Sequence, residues 1–358
     1  MMYEYWLASL QGVSSGKKML LRRRFKNAKT IYNIEERELL FSGILKEKEI
    51  QAVVSARKNS FGEEYERMAQ KGISFVPYFS ERYPKRLRTV LNPPYALYVR
   101  GELPGEETAS AAIVGARRCT PYGEEMAQRY GRSLAQAGVQ IISGMARGID
   151  GAGQRGALNA QGKTYGVLGC GVDICYPREN FGLYMELQEK GGLISEQVPG
   201  TKPLPGYFPA RNRIISALSD VVLVIEAAEK SGSLITADLA LEQGKEVYAL
   251  PGPVTSLLSK GCHRLLQQGA GILISPEDLL DEMNIQRPKD LQIINKNEKT
   301  LETPENLVYS CLGFIPKGVD CLSKETGLSV REVLEQLITL ELQGAAKEIS
   351  KNYYIRII

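Results

Sequence analysis

Glycine, arginine and hydroxyl residues recur together at the ends of apolar runs, and that combination is suited to holding an anion. The first such turn is Val114-Gly115-Ala116-Arg117-Arg118, followed by a helix expected to open at Pro121-Tyr122-Gly123. Glycine lets a backbone approach a ligand closely, and a helix amino terminus offers unpaired N–H donors, so a phosphate cradle is one reading and a plain turn the other. The second, Ser143-Gly144-Met145-Ala146-Arg147-Gly148-Ile149-Asp150, adds a hydroxyl, a cation and a carboxylate expected to cap the next helix. The third runs from Gly169-Cys170-Gly171 to Tyr176-Pro177-Arg178. In Phe208-Pro209-Ala210-Arg211-Asn212-Arg213 an aromatic ring stands beside two cations, the pairing that holds phosphates while an unstacked base rests on the ring. An internal ion pair, with Glu196 or Glu226 as partner, is expected for one of those two arginines. Lys230-Ser231-Gly232-Ser233 opens a last helix with hydroxyls, free amides and a lysine, a strong anion site.

Nothing comparable points to covalent or metal chemistry. The chain has one histidine, His263, and six cysteines without a CxxC pair, so neither a zinc module nor a disulfide framework is supported; reduced, mostly buried thiols are expected. His263 in Cys262-His263-Arg264-Leu265-Leu266-Gln267 lacks a visible nucleophile and orienting acid, which favours packing or an interface over catalysis. No catalytic residue, metal or cofactor is expected.

These turns need a scaffold that brings them to one edge. The runs AAIVGARR, VQIISGMARG, TYGVLGCG, DVVLVIEA and EVYALPG read as buried parallel strands, rich in β-branched residues and without the alternation of a half-solvated strand. Helical stretches such as PYGEEMAQRYGRSLAQAG lie between them, giving the α/β pattern of a doubly wound parallel sheet, which binds ligands at the carboxyl ends of its strands. This region spans residues 71–284. Residues 1–70 carry helical apolar spacing and a basic cluster, Lys17, Lys18, Arg22, Arg23, Arg24, Lys26 and Lys29, readable either as a phosphate-binding face or as a solvated one. Residues 285–303 are polar and aperiodic, a linker, and 304–358 fit three helices and a β-ribbon, the plan of a winged helix. With 43% hydrophobic and 24% charged residues and no apolar run near ~20 residues, a cytoplasmic globular protein with no membrane segment is expected. The net charge of +4 is too small to identify a nucleic-acid partner, so local clustering decides.

Taken in order, SGMARGID, GKTYGVLGCGVDICYP, FPARNRIISALS, KSGSLITADLALEQG, VYALPGP and KGCHRLLQQGA resemble the DNA-processing protein A (DprA/Smf) family across roughly residues 70–280. The resemblance implies an extended Rossmann-like domain with a helical amino-terminal module and a carboxyl-terminal winged helix. It implies a protein that is not an enzyme, binds single-stranded DNA during natural transformation, protects it, and helps load a RecA-type recombinase. Carried onto this chain, the DNA-binding candidates are Gly115, Arg117, Ser143, Gly144, Arg178, Phe208, Arg211, Asn212, Lys230 and Ser231, with Arg147 and Arg213 added from the turns themselves. Ala116 stands where the family often has serine, which removes a hydroxyl contact there. A homodimer is implied as well, with His263, Leu266, Gln267 and Ile272 as the candidate surface.

Two other readings remain. Nucleotide hydrolases of the LOG type use a PGGxGT loop with a nearby glutamate, whereas the corresponding turn here is EAAEKSGSLITA. A winged-helix transcription regulator would need a basic recognition segment, but Asp320 to Gly344 holds five acids and two bases, the wrong balance for a phosphate-lined groove.

Overall fold

The computed structural model describes residues 1–58, 60–286 and 304–357. Six helices come first: α1 (Met2–Ser9), α2 (Ser15–Arg24), α3 (Ala28–Asn33), α4 (Glu36–Phe41), α5 (Glu47–Ala56) and α6 (Phe61–Gln70). The α/β region follows as β1 (Ile73–Pro77), α7 (Lys85–Arg88), β2 (Ala96–Gly101), β3 (Ser110–Val114), α8 (Pro121–Gln136), β4 (Gln140–Ser143), α9 (Ile149–Asn159) and β5 (Thr164–Val167). It continues through a 3-10 turn at Arg178–Asn180, α10 (Phe181–Lys190), β6 (Gly192–Ser195), α11 (Tyr207–Leu218), β7 (Val221–Val224), α12 (Gly232–Glu242), β8 (Glu246–Ala249), α13 (Lys260–Gln267), β9 (Gly271–Ile272) and α14 (Pro276–Glu282).

The nine strands form one sheet in the order β1-β2-β6-β5-β4-β3-β7-β8-β9. From β5 to β9 this is the 3-2-1-4-5-6 order of a dinucleotide-fold sheet, all parallel, with the topological switch between β3 and β7. β3, β4, β5 and β7 are buried along their whole length, as expected of strands covered by helices on both faces. The five strands expected from sequence are present. The antiparallel extension β1-β2 beyond β6 was not expected, and neither were β6 and the two-residue β9.

The amino-terminal helices are not a free-standing lobe. Tyr5, Trp6, Leu21 and Leu39 belong to the same buried cluster as Tyr98, Leu168 and Leu193, and the ring of Tyr5 meets those of Phe75 at 5.7 Å and Tyr98 at 6.2 Å. The basic cluster also divides. Lys17 pairs with Glu49 at 2.5 Å, Arg22 pairs with Glu4 at 2.6 Å while lying over Phe79, and Lys18 is buried, donating to the Ala8 carbonyl at 2.5 Å. Arg23, Arg24, Lys26 and Lys29 are left in solvent.

Burial pushes the Lys18 ammonium down to about 8, partly offset by Glu196. A lysine whose folded pKa is depressed binds fewer protons folded than unfolded between that value and its ordinary one, so this group makes stability rise with pH from about 8 to about 10. Lys18→Met is therefore expected to stabilise the chain at pH 7, by up to about 3 kcal/mol, and to remove that rise. Urea unfolding of both forms at pH 7, 8.5 and 10 checks this; a destabilised variant, or an equal rise in both, would refute it.

A second unit holds α15 (Pro304–Cys311), β10 (Lys317–Gly318), α16 (Val319–Thr326), α17 (Val330–Leu342), β11 (Ala346–Ser350) and β12 (Tyr353–Arg356), with a sheet in the order β10-β12-β11. Ser329 and Glu332 form a capping box that starts α17, and Val308, Leu322, Val333, Leu337 and Tyr354 build its own core. This is the expected winged-helix plan. Of the expected linker, 287–303 lie outside the described residues.

All six thiols are free; Cys170 and Cys262 are buried, but Cys119, Cys175 and Cys311 are half-buried and Cys321 is exposed, so "mostly buried" overstated the case. Among the described residues no group of His, Cys, Asp or Glu is arranged to hold a metal, and no helix is long and apolar enough to cross a membrane.

Candidate functional site

At the switch point between β3 and β7 a cavity of about 550 Å³ opens above the carboxyl ends of the strands. A smaller recess of about 170 Å³ adjoins it, sharing Arg117, Ala146, Tyr176, Phe208 and Arg211 as walls.

Its floor holds two opposite charges taken out of solvent, close enough to act on each other. Asp150 and Arg211 are both buried. The Asp150 carboxylate accepts from the Gly144 amide at 3.1 Å, and the amides of Ala146 and Gly115 also favour its charged form, so one side chain serves the turns after β3 and β4 together. Arg211, on α11, donates to the Val167 carbonyl at the end of β5, while its Nε has no partner among the described residues. Burial pushes the Asp150 carboxyl up and the Arg211 guanidinium down, and each opposes the other's shift by attraction. Gly144 has no room for a side chain, because a Cβ would run into the Arg211 guanidinium and the Asp150 carboxylate. Asp150 was expected to cap a helix; the N-cap of α9 is instead Gly148, and Asp150 sits in the first turn facing back to the loops.

The two helix openings near the cavity differ. At α8 the Glu226 carboxylate accepts from the Thr120 amide at 2.8 Å and from the Thr120 hydroxyl at 2.6 Å, and Thr120 caps Gly123. The anion at that helix start is thus supplied by the protein, which favours the plain turn over the phosphate cradle of the two readings there. At α12, Ser231 is the N-cap, its hydroxyl lies 2.7 Å from that of Ser233, and Ser231, Gly232, Ser233 and Thr236 line the cavity. This amino terminus remains open to a ligand.

Rings and cations form the rim. Phe208 lies on Gly169, where a Cβ would come within 2.9 Å of the ring, and meets Tyr176 with centroids 5.4 Å apart. The Arg117 guanidinium stands 5.6 Å from the Phe208 centroid, and Arg117, Arg118 and Arg147 are all exposed. Arg147 also pairs with Glu179 at 2.7 Å, in solvent, a weak tether.

The sequence-derived candidates sort as follows. Gly115, Arg117, Phe208, Arg211, Asn212 and Ser231 line the cavity, and Gly144 and Arg147 line the recess. Ser143 does not reach either: it is fully buried and donates to the Ile113 carbonyl at 2.6 Å, because its place is the last residue of a central strand. Arg213 is also withdrawn, held by Glu196 at 2.6 Å and 2.9 Å and by the Asn92 carbonyl, so the expected internal ion pair falls to this arginine with Glu196. Arg178 and Lys230 are exposed outside the walls of both cavities. Arg118, Tyr176, Ile235 and Thr236 were missed, although Arg118 and Tyr176 stand inside the turns already singled out. Of the proposed dimer surface, His263 is turned inward, its Nε2 3.0 Å from the Gly252 carbonyl, and Leu266 packs on the core, while Gln267 and Ile272 face solvent at the open side of β9.

Residues 74–284 match the family described as DNA recombination-mediator protein A, and residues 295–349 match the DprA winged helix domain. Protein Smf of Escherichia coli is 38% identical over 292 residues, covering 80% of this chain and 78% of that protein. The X-ray structure of DNA processing protein A from Streptococcus pneumoniae superposes with a TM-score of 0.70 at 30% identity, covering 80% of this chain and 99% of that one. A structure of DNA processing protein A from Helicobacter pylori, described for its single-stranded DNA binding mode, gives a TM-score of 0.55 at 32% identity over 60% of this chain and 97% of that one.

Proposed function

Because the chain belongs to the DNA recombination-mediator protein A (DprA/Smf) family, we propose that it binds single-stranded DNA at the carboxyl edge of its sheet and passes it to a RecA-type recombinase in DNA processing and natural transformation. The observation that carries this reading is the rim of the strand-end cavity. Exposed guanidinium groups of Arg117, Arg118 and Arg147 stand around the tilted ring pair Phe208 and Tyr176, which is the equipment for gripping phosphates while a base rests on a ring. Below the rim, the open start of α12 offers Ser231 and free amides to a further phosphate.

A homodimer through the free side of β9 is part of the same reading. That strand has β8 on one flank only, and Ile272 and Ile274 beside it are 49% and 70% exposed, an apolar edge of the kind a second copy covers.

Fluorescence anisotropy with labelled oligo(dT), with duplex and AMP as competitors at two salt concentrations, tests the proposal. We expect preference for the single strand, weakening with salt, and a marked loss in Arg117→Ala with Arg118→Ala. Equal affinity for duplex, or displacement by low concentrations of AMP, would instead favour a nucleotide-binding enzyme.

A further inference from the structure

A second and larger groove, of about 1000 Å³, runs between α1, α5 and α6 on one side and the loop 198–207 on the other. Resting on the single-strand reading above, we propose that this groove carries the continuation of the DNA strand held at the strand-end cavity, extending the binding site onto the amino-terminal helices.

The two sites share a wall. Leu204 and Tyr207 face the groove, while Pro205 and Phe208 face the strand-end cavity. Neighbouring residues such as Tyr207 and Phe208 lie ~3.8 Å apart along the backbone, so a strand leaving the Phe208 ring needs only to cross this ridge to enter the groove. The loop on the far side is fixed in place: Asp173 accepts from the Gly200 amide at 2.7 Å and from Lys71 at 3.2 Å, which joins it to the end of the amino-terminal helices. That pairing neutralises Lys71 and leaves Arg67 and Lys202, exposed on opposite banks and without an ion-pair partner among the described residues, as the cations available to phosphates. Glu64 on the same wall offsets one of them, so the attraction is modest and the affinity of the groove should depend on the strand being delivered to it. Half-exposed Phe61 and Tyr207 give each bank a ring for a base. Rings and cations together in a polar groove bind a strand without regard to its sequence, which suits a site that extends a first one.

The test uses the full chain and oligo(dT) of increasing length, from about five to about thirty nucleotides, compared in anisotropy titrations for the wild type and for Arg67→Ala with Lys202→Ala. We expect the wild type to gain affinity beyond the length that fills the strand-end cavity. The double variant should bind the shortest oligonucleotides as the wild type does, lose about tenfold on the longest, and show a salt slope smaller by about 1.4, ~0.7 for each of two phosphates. Charge reversal in Lys202→Glu should deepen the loss on long strands only. Oligonucleotides carrying 5-iododeoxyuridine at successive positions should photocrosslink to peptides 198–207 and 61–71 only when long enough to pass Phe208. Unchanged binding at every length, equal weakening at all lengths, or crosslinks confined to the strand-end turns would overturn the extended path while leaving the primary site intact. Absence of binding by the wild type at any length would overturn both.

Discussion

Phe208→Ala is expected to weaken binding of oligo(dT) by roughly 5- to 150-fold, the ~1 to 3 kcal/mol of one base on one ring, and to leave the dependence on salt unchanged. The ring lines the cavity, packed on Gly169 and beside Tyr176, so its loss removes a stacking platform and no charge. Arg117→Ala should behave in the opposite way. Its guanidinium stands over the rim without burial, and removing it should lower the slope of log K against log salt by about 0.7, one single-strand phosphate, with a smaller loss of affinity at high salt. Titrations at four salt concentrations separate the two. If Phe208→Ala flattened the salt dependence, or Arg117→Ala left it untouched, ring and cation would not divide the labour in this way.

The other large effect concerns the floor. Asp150→Ala should cost ~3 to 5 kcal/mol of stability, because it leaves the buried Arg211 guanidinium uncompensated and releases the Gly144 amide. Replacing both partners, as in Asp150→Leu with Arg211→Met, should recover most of that loss, since the desolvation of both ions disappears with them. The double variant should nonetheless bind single strands poorly, because the turns after β3 and β4 lose the carboxylate that sets their spacing. Chemical denaturation together with anisotropy measures both quantities. A loss under 1 kcal/mol for Asp150→Ala, or full binding by the double variant, would show that the pair does not position the site.

Much of this was legible beforehand. Continuous apolar runs identified β3, β4, β5, β7 and β8, all but β7 leaving through a glycine, because a strand covered on both faces needs apolar residues throughout. The strands that escaped notice are instructive: Gly192–Ser195 is four residues long and opens on glycine, and β1 and β2 join the sheet through antiparallel pairing, which no local pattern announces.

By itself the sequence determined the fold class, the strand ends where a doubly wound sheet takes its ligands, and the kinds of side chain delivered there, since apolar period, glycine placement and residue type are local properties. Only the tertiary structure decided which of those groups are free. Glu226 reaches across more than a hundred residues to occupy the start of α8, Glu196 takes Arg213, and Arg211 is buried near Asp150, while Arg117, Arg118 and, tethered to Glu179, Arg147 reach the rim. The physical reason is that a buried charge must find its partner wherever the fold brings one within hydrogen-bond reach, and that distance in space is not written in the spacing along the chain.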